Sequence, residues 1–198
     1  LGLNIIHLEK LCKKYRPSTI ILVHVLGHAN NMKKILEIFK KYKIILLEDT
    51  CEALGSKFKN KNLGNFGLMS SFSFYYGHHM STIEGGMICT PDKKLKNILL
   101  SIRSHGWIRN YETKDKKIIE KKLKISTFQS FFTFIYSGFN VRPTEINAFL
   151  GLKQLKKVNS NSIIRKENFN SYKNSLKNFY YVKCNTSLLS NFGYATLV

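Results

Sequence analysis

Three stretches decide the fold: Ile20-Ile21-Leu22-Val23-His24-Val25, the segment Asn30-Asn31-Met32 to Phe39, and Ile44-Ile45-Leu46-Leu47-Glu48-Asp49. The first is the kind of apolar run that forms a strand buried in a parallel sheet. The asparagine pair after Gly27 can cap a helix, because its side-chain oxygens accept from the free N–H groups of a first turn. Met32, Ile35, Leu36 and Phe39 then recur at i, i+3, i+4 and i+7 with lysines opposite, which gives that helix one apolar face. Ile44 to Leu47 reads as a second buried strand, ending at the acidic pair Glu48-Asp49. Strand, helix and strand in this order predict a right-handed crossover and a mainly parallel sheet, an α/β fold.

Working outward, Gly55 to Gly67 reads as a loop or a small hairpin, and Ser70 to Tyr75 and Met87 to Thr90 as further strands. Leu95, Ile98, Leu99 and Ile102 line one face of a helix that ends before Gly106. The charged stretch from Asn110 to Lys124 predicts an exposed loop and helix. Pro143 suits a helix start, and Ile146, Phe149, Leu150 and Leu155 predict a buried side for that helix. A second helix over Asn161 to Leu176 leads into a strand at Tyr180-Tyr181-Val182. The chain begins with leucine between elements, and it reads as the middle of a protein roughly twice as long.

Of the 198 residues, 32 are Lys or Arg and 12 are Asp or Glu, a formal charge of +20. Five of the 32 are arginines, and the lysines scatter over solvent-side helix positions rather than forming a block. With no aromatic stacking platform or recognition helix, no nucleic-acid partner is expected, although a basic binding domain or a non-catalytic fragment is the alternative from another class. A basic surface also steers phosphate-bearing substrates. No apolar run approaches the roughly 18 residues of a membrane span, and no signal-peptide pattern opens the chain, so a soluble cytoplasmic protein is expected. Cys12, Cys51, Cys89 and Cys184 lie 39, 38 and 95 residues apart. That spacing argues against a zinc or iron–sulfur site and for free, mostly buried thiols.

Between Asn62 and Asp92 there is no lysine and no arginine. The gap holds Ser71-Phe72-Ser73-Phe74-Tyr75-Tyr76-Gly77-His78-His79-Met80 and then Glu84-Gly85-Gly86. Taken alone, Asp49 after a strand is a cap, a metal ligand or a partner for a protonated ring nitrogen. Ser73 is a solvent-facing or backbone-bonded hydroxyl, or a phosphate donor. The histidine pair suits metal binding, capping, surface exposure or acid–base work, since a free imidazole titrates at about 6.5. Asn140 is a turn residue before a helix or a phosphate ligand.

Three strings taken together resemble one family. Glu48-Asp49-Thr50-Cys51-Glu52-Ala53-Leu54-Gly55 matches E-D-x-x-[QED]-x-x-G, Ser73 to Gly86 matches S-x-x-x-x-K-x-x-x-x-x-E-G-G except at the lysine, and Gly138-Phe139-Asn140-Val141-Arg142-Pro143-Thr144-Glu145-Ile146-Asn147-Ala148 matches G-[YF]-N-x-R-x-[ST]-[ED]-[IL]-x-A. The chain resembles the DegT/DnrJ/EryC1/StrS sugar aminotransferases, pyridoxal 5'-phosphate (PLP) enzymes of the aspartate aminotransferase-like fold. That resemblance implies that residues 1–145 are part of a PLP-binding large domain, 146–178 connecting helices, and 179–198 the start of a small C-terminal α/β domain. It implies that Asp49 faces the cofactor's ring nitrogen, Glu52 lies near its phenolic oxygen, and Ser73 donates to its phosphate. Asn140 would reach the cofactor phosphate of the partner subunit, in a homodimer with shared active sites.

His78 stands in the slot of the family lysine and cannot make the covalent link to pyridoxal that a lysine makes. The exchange, with Gly77-His78-His79-Met80-Ser81-Thr82-Ile83-Glu84-Gly85-Gly86 and Arg103-Ser104-His105-Gly106-Trp107, resembles the branch of pyridoxamine-phosphate-dependent 3-dehydratases that make 3,6-dideoxysugars. The likeness implies a nucleotide-sugar substrate, GDP-4-keto-6-deoxy-D-mannose of colitose and O-antigen synthesis being favoured, with L-glutamate as amino donor and His78 as the catalytic base. Ser104 to Lys124 contains no cysteine, which argues against the iron–sulfur cluster of the CDP-sugar branch. An ordinary nucleotide-sugar aminotransferase is the runner-up.

Overall fold

The computed structural model describes residues 2–175. The strand expected at Tyr180-Tyr181-Val182, the start of a small domain at 179–198, and Cys184 all lie outside the described residues. The chain divides into two compact units: residues up to 89 together with those from 145 onward, and Thr90–Thr144.

In the first unit α1 (Ile5–Tyr15) precedes β1 (Thr19–Val23), α2 (Met32–Tyr42) and β2 (Ile45–Asp49). A hairpin of β3 (Lys57–Phe58) and β4 (Lys61–Asn62) follows, then β5 (Met69–Ser73) and β6 (Gly86–Cys89). The sheet order is β1-β2-β5-β6. β1 runs parallel to β2 with Val23 opposite Asp49, and β2 runs parallel to β5 with Asp49 opposite Ser71. β6 alone is antiparallel, with Gly86 opposite Ser73. The mainly parallel α/β sheet expected from the crossover is therefore present, and the loop or hairpin at 55–67 is a hairpin.

α2 forms where its periodicity places it. Asn31 is the cap, its Oδ1 accepting from Lys34 N at 3.3 Å, and Lys43 ends the helix in the left-handed region. Its buried face is Met32, Ile35, Ile38 and Phe39, with Leu36 only half-buried, a small rotation from the expected stripe. These residues join Leu8 and Cys12 of α1, Leu22 of β1 and Leu46 of β2 in one core. α1, which the pattern did not announce, is capped by Asn4 through His7 N.

Several burial expectations fail. In β2, expected as a buried strand, Ile45 is 46% exposed while Leu46 is buried, and of the described cysteines only Cys12 is fully buried. β1 is not buried on both faces: Leu22 is buried, whereas Ile21 is 65% exposed and Val23 45%. Side chains alternate across a strand, and the Leu22 side carries the core shared with α1 and α2. The helix after Pro143 is α6 (Glu145–Leu155), which follows the three helices of the second unit in sequence, and its expected buried side is also corrected. Ile146 is 70% exposed, Phe149 60% and Leu155 59%, with Leu150 half-buried. Among the described residues nothing covers that stripe. α7 (Val158–Ser175) follows and likewise shows no fully buried side chain among its described residues.

The second unit holds α3 (Lys93–Ile102), α4 (Thr113–Leu123) and the short α5 (Thr127–Ser130). Asp92 caps α3 by accepting from Lys94 N and Leu95 N, and Ser126 with Gln129 forms a capping box on α5. The expected apolar face of α3 is only half-buried, and its fully buried residues are Asn97 and Ser101. Residues 104–107 lie antiparallel to 134–140 through bridges Ser104 to Asn140 and Trp107 to Phe134. Gly106 is required there: φ is +87°, and a Cβ would stand 1.7 Å from Tyr136 O. No helix among the described residues is long and apolar enough to cross a membrane.

Ile35 has no exposed surface and lies at the centre of the core. Ile35→Ala is expected to cost about 2–5 kcal/mol, read as a lowered urea midpoint with an unchanged slope.

Candidate cofactor site

Ligands of parallel α/β sheets collect beyond the carboxyl ends of the strands, and the sequence-marked residues gather at those ends of β2 and β5. Asp49 closes β2. Its Oδ1 accepts from Cys51 N at 3.1 Å and from Ser71 Oγ at 3.4 Å, and its main-chain oxygen accepts from His24 N at 3.1 Å. Thr50 fastens the same turn to β5 by donating its N–H (3.0 Å) and its hydroxyl (2.6 Å) to Ser71 O. Both bonds to the Asp49 side chain use Oδ1, so Oδ2 is left for a further donor. Glu52, at the end of this turn, accepts from Leu26 N at 2.6 Å and so holds the loop after β1, where Leu26 has φ +54°.

The other half of the acidic pair does something the sequence did not signal. Glu48 is buried, and it accepts from His24 Nε2 (3.2 Å), Gly64 N (2.8 Å), Phe66 N (2.6 Å) and Gly67 N (2.7 Å). Burial pushes its pKa up, but the bonds from His24 and the three backbone groups outweigh that and leave it below the ordinary carboxylate value. Strand alternation was the available clue: adjacent residues face opposite sides, so only one of Glu48 and Asp49 can face the site. His24 is held in turn by Asn30, whose Nδ2 lies 3.5 Å from His24 Nδ1.

Ser73 closes β5 two residues beyond Ser71 and on the same face. Its Oγ accepts from Tyr75 N at 3.2 Å. The chain then turns so that His78 N donates to Tyr75 O at 3.0 Å, and the His78 ring stands edge-on to Tyr75 with centroids 5.6 Å apart. His78 is half-buried, and its Nδ1 is enclosed with no hydrogen-bond partner among the described residues. His79 behaves differently: it is 7% exposed, and burial, then the charges of Arg165 and His78, push its pKa down to about 4. Cys51 is half-buried, and burial together with its contact to Asp49 pushes the thiol up to about 11. It is a protonated, unreactive thiol at neutral pH.

The loop from His78 returns to the sheet through Phe74 N to Gly85 O (2.8 Å) and Thr82 N to Phe74 O (2.9 Å). Gly85 admits no side chain, since a Cβ would meet Thr82 Oγ1 at 2.5 Å. Ile83 has φ +73°, a conformation that costs on the order of 1–3 kcal/mol for a β-branched residue. Asn140 belongs to the second unit, where it pairs with Ser104 and accepts from Arg142 Nε at 3.2 Å. The first unit thus carries Asp49, Glu52, Ser73 and His78 at and after the carboxyl ends of β2 and β5, and Asn140 belongs to the second unit. Chemically the first set offers an acidic side chain able to take a ring N–H, a hydroxyl, and an imidazole nitrogen with no hydrogen-bond partner among the described residues.

The chain belongs to the DegT/DnrJ/EryC1/StrS aminotransferase family, whose model matches residues 3–192. It is 40% identical over 197 residues to the GDP-4-keto-6-deoxy-D-mannose 3-dehydratase of Escherichia coli O55:H7 (strain CB9615 / EPEC), covering 98% of this chain and 50% of that protein. Two solved structures of GDP-4-keto-6-deoxymannose-3-dehydratase superpose on it, each at 35% identity over 96% of this chain and 49% of the other. An asparagine-for-histidine variant with bound GDP-perosamine gives a TM-score of 0.81, and an enzyme with a trapped PLP-glutamate geminal diamine gives 0.79. The chain spans about half the length of the curated relatives it matches.

The His79 value sets a stability window. The folded imidazole takes a proton only near pH 4, whereas a free one does so near 6.5. As pH falls through that interval the unfolded chain gains a proton that the folded chain refuses, so stability is lost there and unaffected above it. His79→Gln is expected to flatten the fall in urea midpoint between about pH 7 and pH 5, measured by urea titration across that range.

Proposed function

We propose that the complete protein is a 3-dehydratase, dependent on pyridoxal and pyridoxamine phosphate, that removes the C3 hydroxyl of a nucleotide-linked 4-keto-6-deoxyhexose. The favoured substrate is GDP-4-keto-6-deoxy-D-mannose, with L-glutamate as amino donor, in the cytoplasmic synthesis of colitose for lipopolysaccharide O-antigen. The observation that carries this reading is His78, which occupies the slot of the family lysine and presents an enclosed Nδ1 without a partner among the described residues.

The residues present fit a pyridine cofactor. Asp49 has Oδ2 left for the ring N–H, its Oδ1 being held by Cys51 and Ser71. Ser73 offers a neutral hydroxyl suited to a phosphate, and Glu52 is fixed by Leu26 beside the same turn. Asn140 would complete the phosphate contacts of the partner subunit's site in a homodimer. On this reading residues 1–145 are part of the cofactor-binding large domain, 146–178 connect, and 179–198 begin the small domain. No iron–sulfur cluster takes part.

When bound, the cofactor supplies an amine for the sugar ketone and an electron sink for the proton removed. Asp49 would hold the ring through its N–H and favour the protonated nitrogen. With the cofactor bound, His78 would be the group to take a proton and return one to the departing hydroxyl, the task of a general base that becomes a general acid. A lysine in that position would carry the cofactor covalently and favour transamination.

The full-length protein with PLP, L-glutamate and GDP-4-keto-6-deoxy-D-mannose is expected to release ammonia with loss of the C3 oxygen. A stable amino sugar would instead make it an aminotransferase. His78→Asn is expected to lower the ammonia-release rate about 100-fold or more while leaving PLP bound. Borohydride should attach no PLP to the wild-type protein; covalent attachment to a lysine would overturn the assignment of His78.

A further inference from the structure

We infer that Asn147, in the first turn of α6, is a positioning residue for the loop that carries His78. The role rests on the proposed reading of that loop as the reactive edge of the cofactor site. The side-chain amide of Asn147 donates to two carbonyls of the loop, Thr82 O at 2.8 Å and Glu84 O at 3.2 Å. Those carbonyls flank Ile83, the residue with φ +73°.

Ile83 is 60% exposed, so packing of its own side chain does little to hold it in the left-handed region. A β-branched residue left to itself returns to negative φ, and such a return turns the neighbouring carbonyls away. The loop's internal bonds resist only in part. Thr82 Oγ1 donates to Glu84 O at 2.9 Å, and Ile83 N donates to Ser81 Oγ at 3.1 Å. Both lie within the segment that would move. Asn147 is different in kind, because it reaches the loop from a separate helix, more than sixty residues away in sequence. Two carbonyls that must point the same way to meet one amide are compatible only with the strained conformer.

A second observation supports close docking. A Cβ at Gly151 would stand 3.1 Å from the Thr82 methyl carbon, so a glycine one turn after Asn147 lets α6 approach the loop. The loop is closed by Phe74 N to Gly85 O, and His78 lies inside the closed segment. A change of conformer at 82–84 therefore cannot be absorbed beyond the loop and reaches the imidazole. Asn147 holds His78 in register without touching the reacting atoms.

The test uses the full-length protein, as apoprotein for labelling and loaded with PLP for kinetics, and three variants: Asn147→Ala, Ile83→Gly, and both together. Glycine accepts positive φ without strain, so Ile83→Gly removes the need for the staple. The first readout is the rate at which diethylpyrocarbonate modifies His78, followed by peptide mass spectrometry with the exposed His7 as internal standard. Losing two ordinary hydrogen bonds shifts the loop equilibrium about tenfold or more, so Asn147→Ala should raise His78 labelling about tenfold and leave His7 unchanged. The double variant should return to within about threefold of wild type. The second readout is kinetic: kcat for ammonia release should fall about tenfold in Asn147→Ala with KM for the sugar unchanged, and recover in the double variant.

Wild-type labelling in Asn147→Ala overturns the inference. So does a double variant as perturbed as the single one, because the loss would then come from helix packing. If Asn147→Ala does not fold, the double variant decides alone, and its failure to fold overturns the inference too. Absence of dehydration in the wild-type protein would defeat the proposed function, whereas the labelling experiment needs no reaction and still decides the role of Asn147.

Discussion

The buried carboxylate of Glu48 is the interaction on which the described site depends. It gathers one imidazole from the end of β1 and three backbone N–H groups from the 64–67 turn around a group with no exposed side-chain surface. A buried charge persists only when paired and hydrogen-bonded, and here both oxygens are used. Taking the carboxylate away would leave several buried donors unmatched, at about 1–3 kcal/mol each. The consequence is geometric as well as energetic. Glu48 pins β2 from below, so that Asp49, one residue later, presents its side chain on the opposite face beside Ser71.

The same economy separates the two histidines. His78 and His79 are neighbours of identical chemistry, yet the chain encloses one and leaves the other half-buried. Desolvation makes His79 a poor base, with its pKa at about 4, and suits it to packing. His78 keeps an enclosed nitrogen with no partner among the described residues, edge-on to Tyr75. The loop that follows is strained at Ile83 and held by α6 through Asn147. Strain retained beside a candidate reactive group is the pattern expected where geometry, rather than stability, is selected.

Much of this was legible in the residues. The βαβ unit followed from one apolar run, one helical stripe and a capping asparagine, all local features. The candidate site followed from the order Asp49, Glu52, Ser73, His78, because three short strings in register are far more specific than any residue among them. What stayed illegible shares one cause. Glu48 looked like half of an acidic pair, Asn147 like a plain helix residue, and Asn30 like a cap. Each takes its role from partners 6 to 65 residues away. The exposure of Ile21, Ile146 and Phe149 is illegible for the same reason, since an apolar stripe says what a helix or strand can bury and not what is present to cover it.

The amino-acid order alone determined the α/β class, the strand–helix–strand unit, the family, and the histidine that stands where a lysine would. Periodicity and motif spacing carry those, and both are properties of the chain taken locally. The tertiary structure decided which member of Glu48-Asp49 faces the site, which of His78 and His79 loses its water, and which helix holds the loop between them. Those outcomes depend on solvent exclusion and on hydrogen bonds closed between distant segments, and neither exists until the chain has folded.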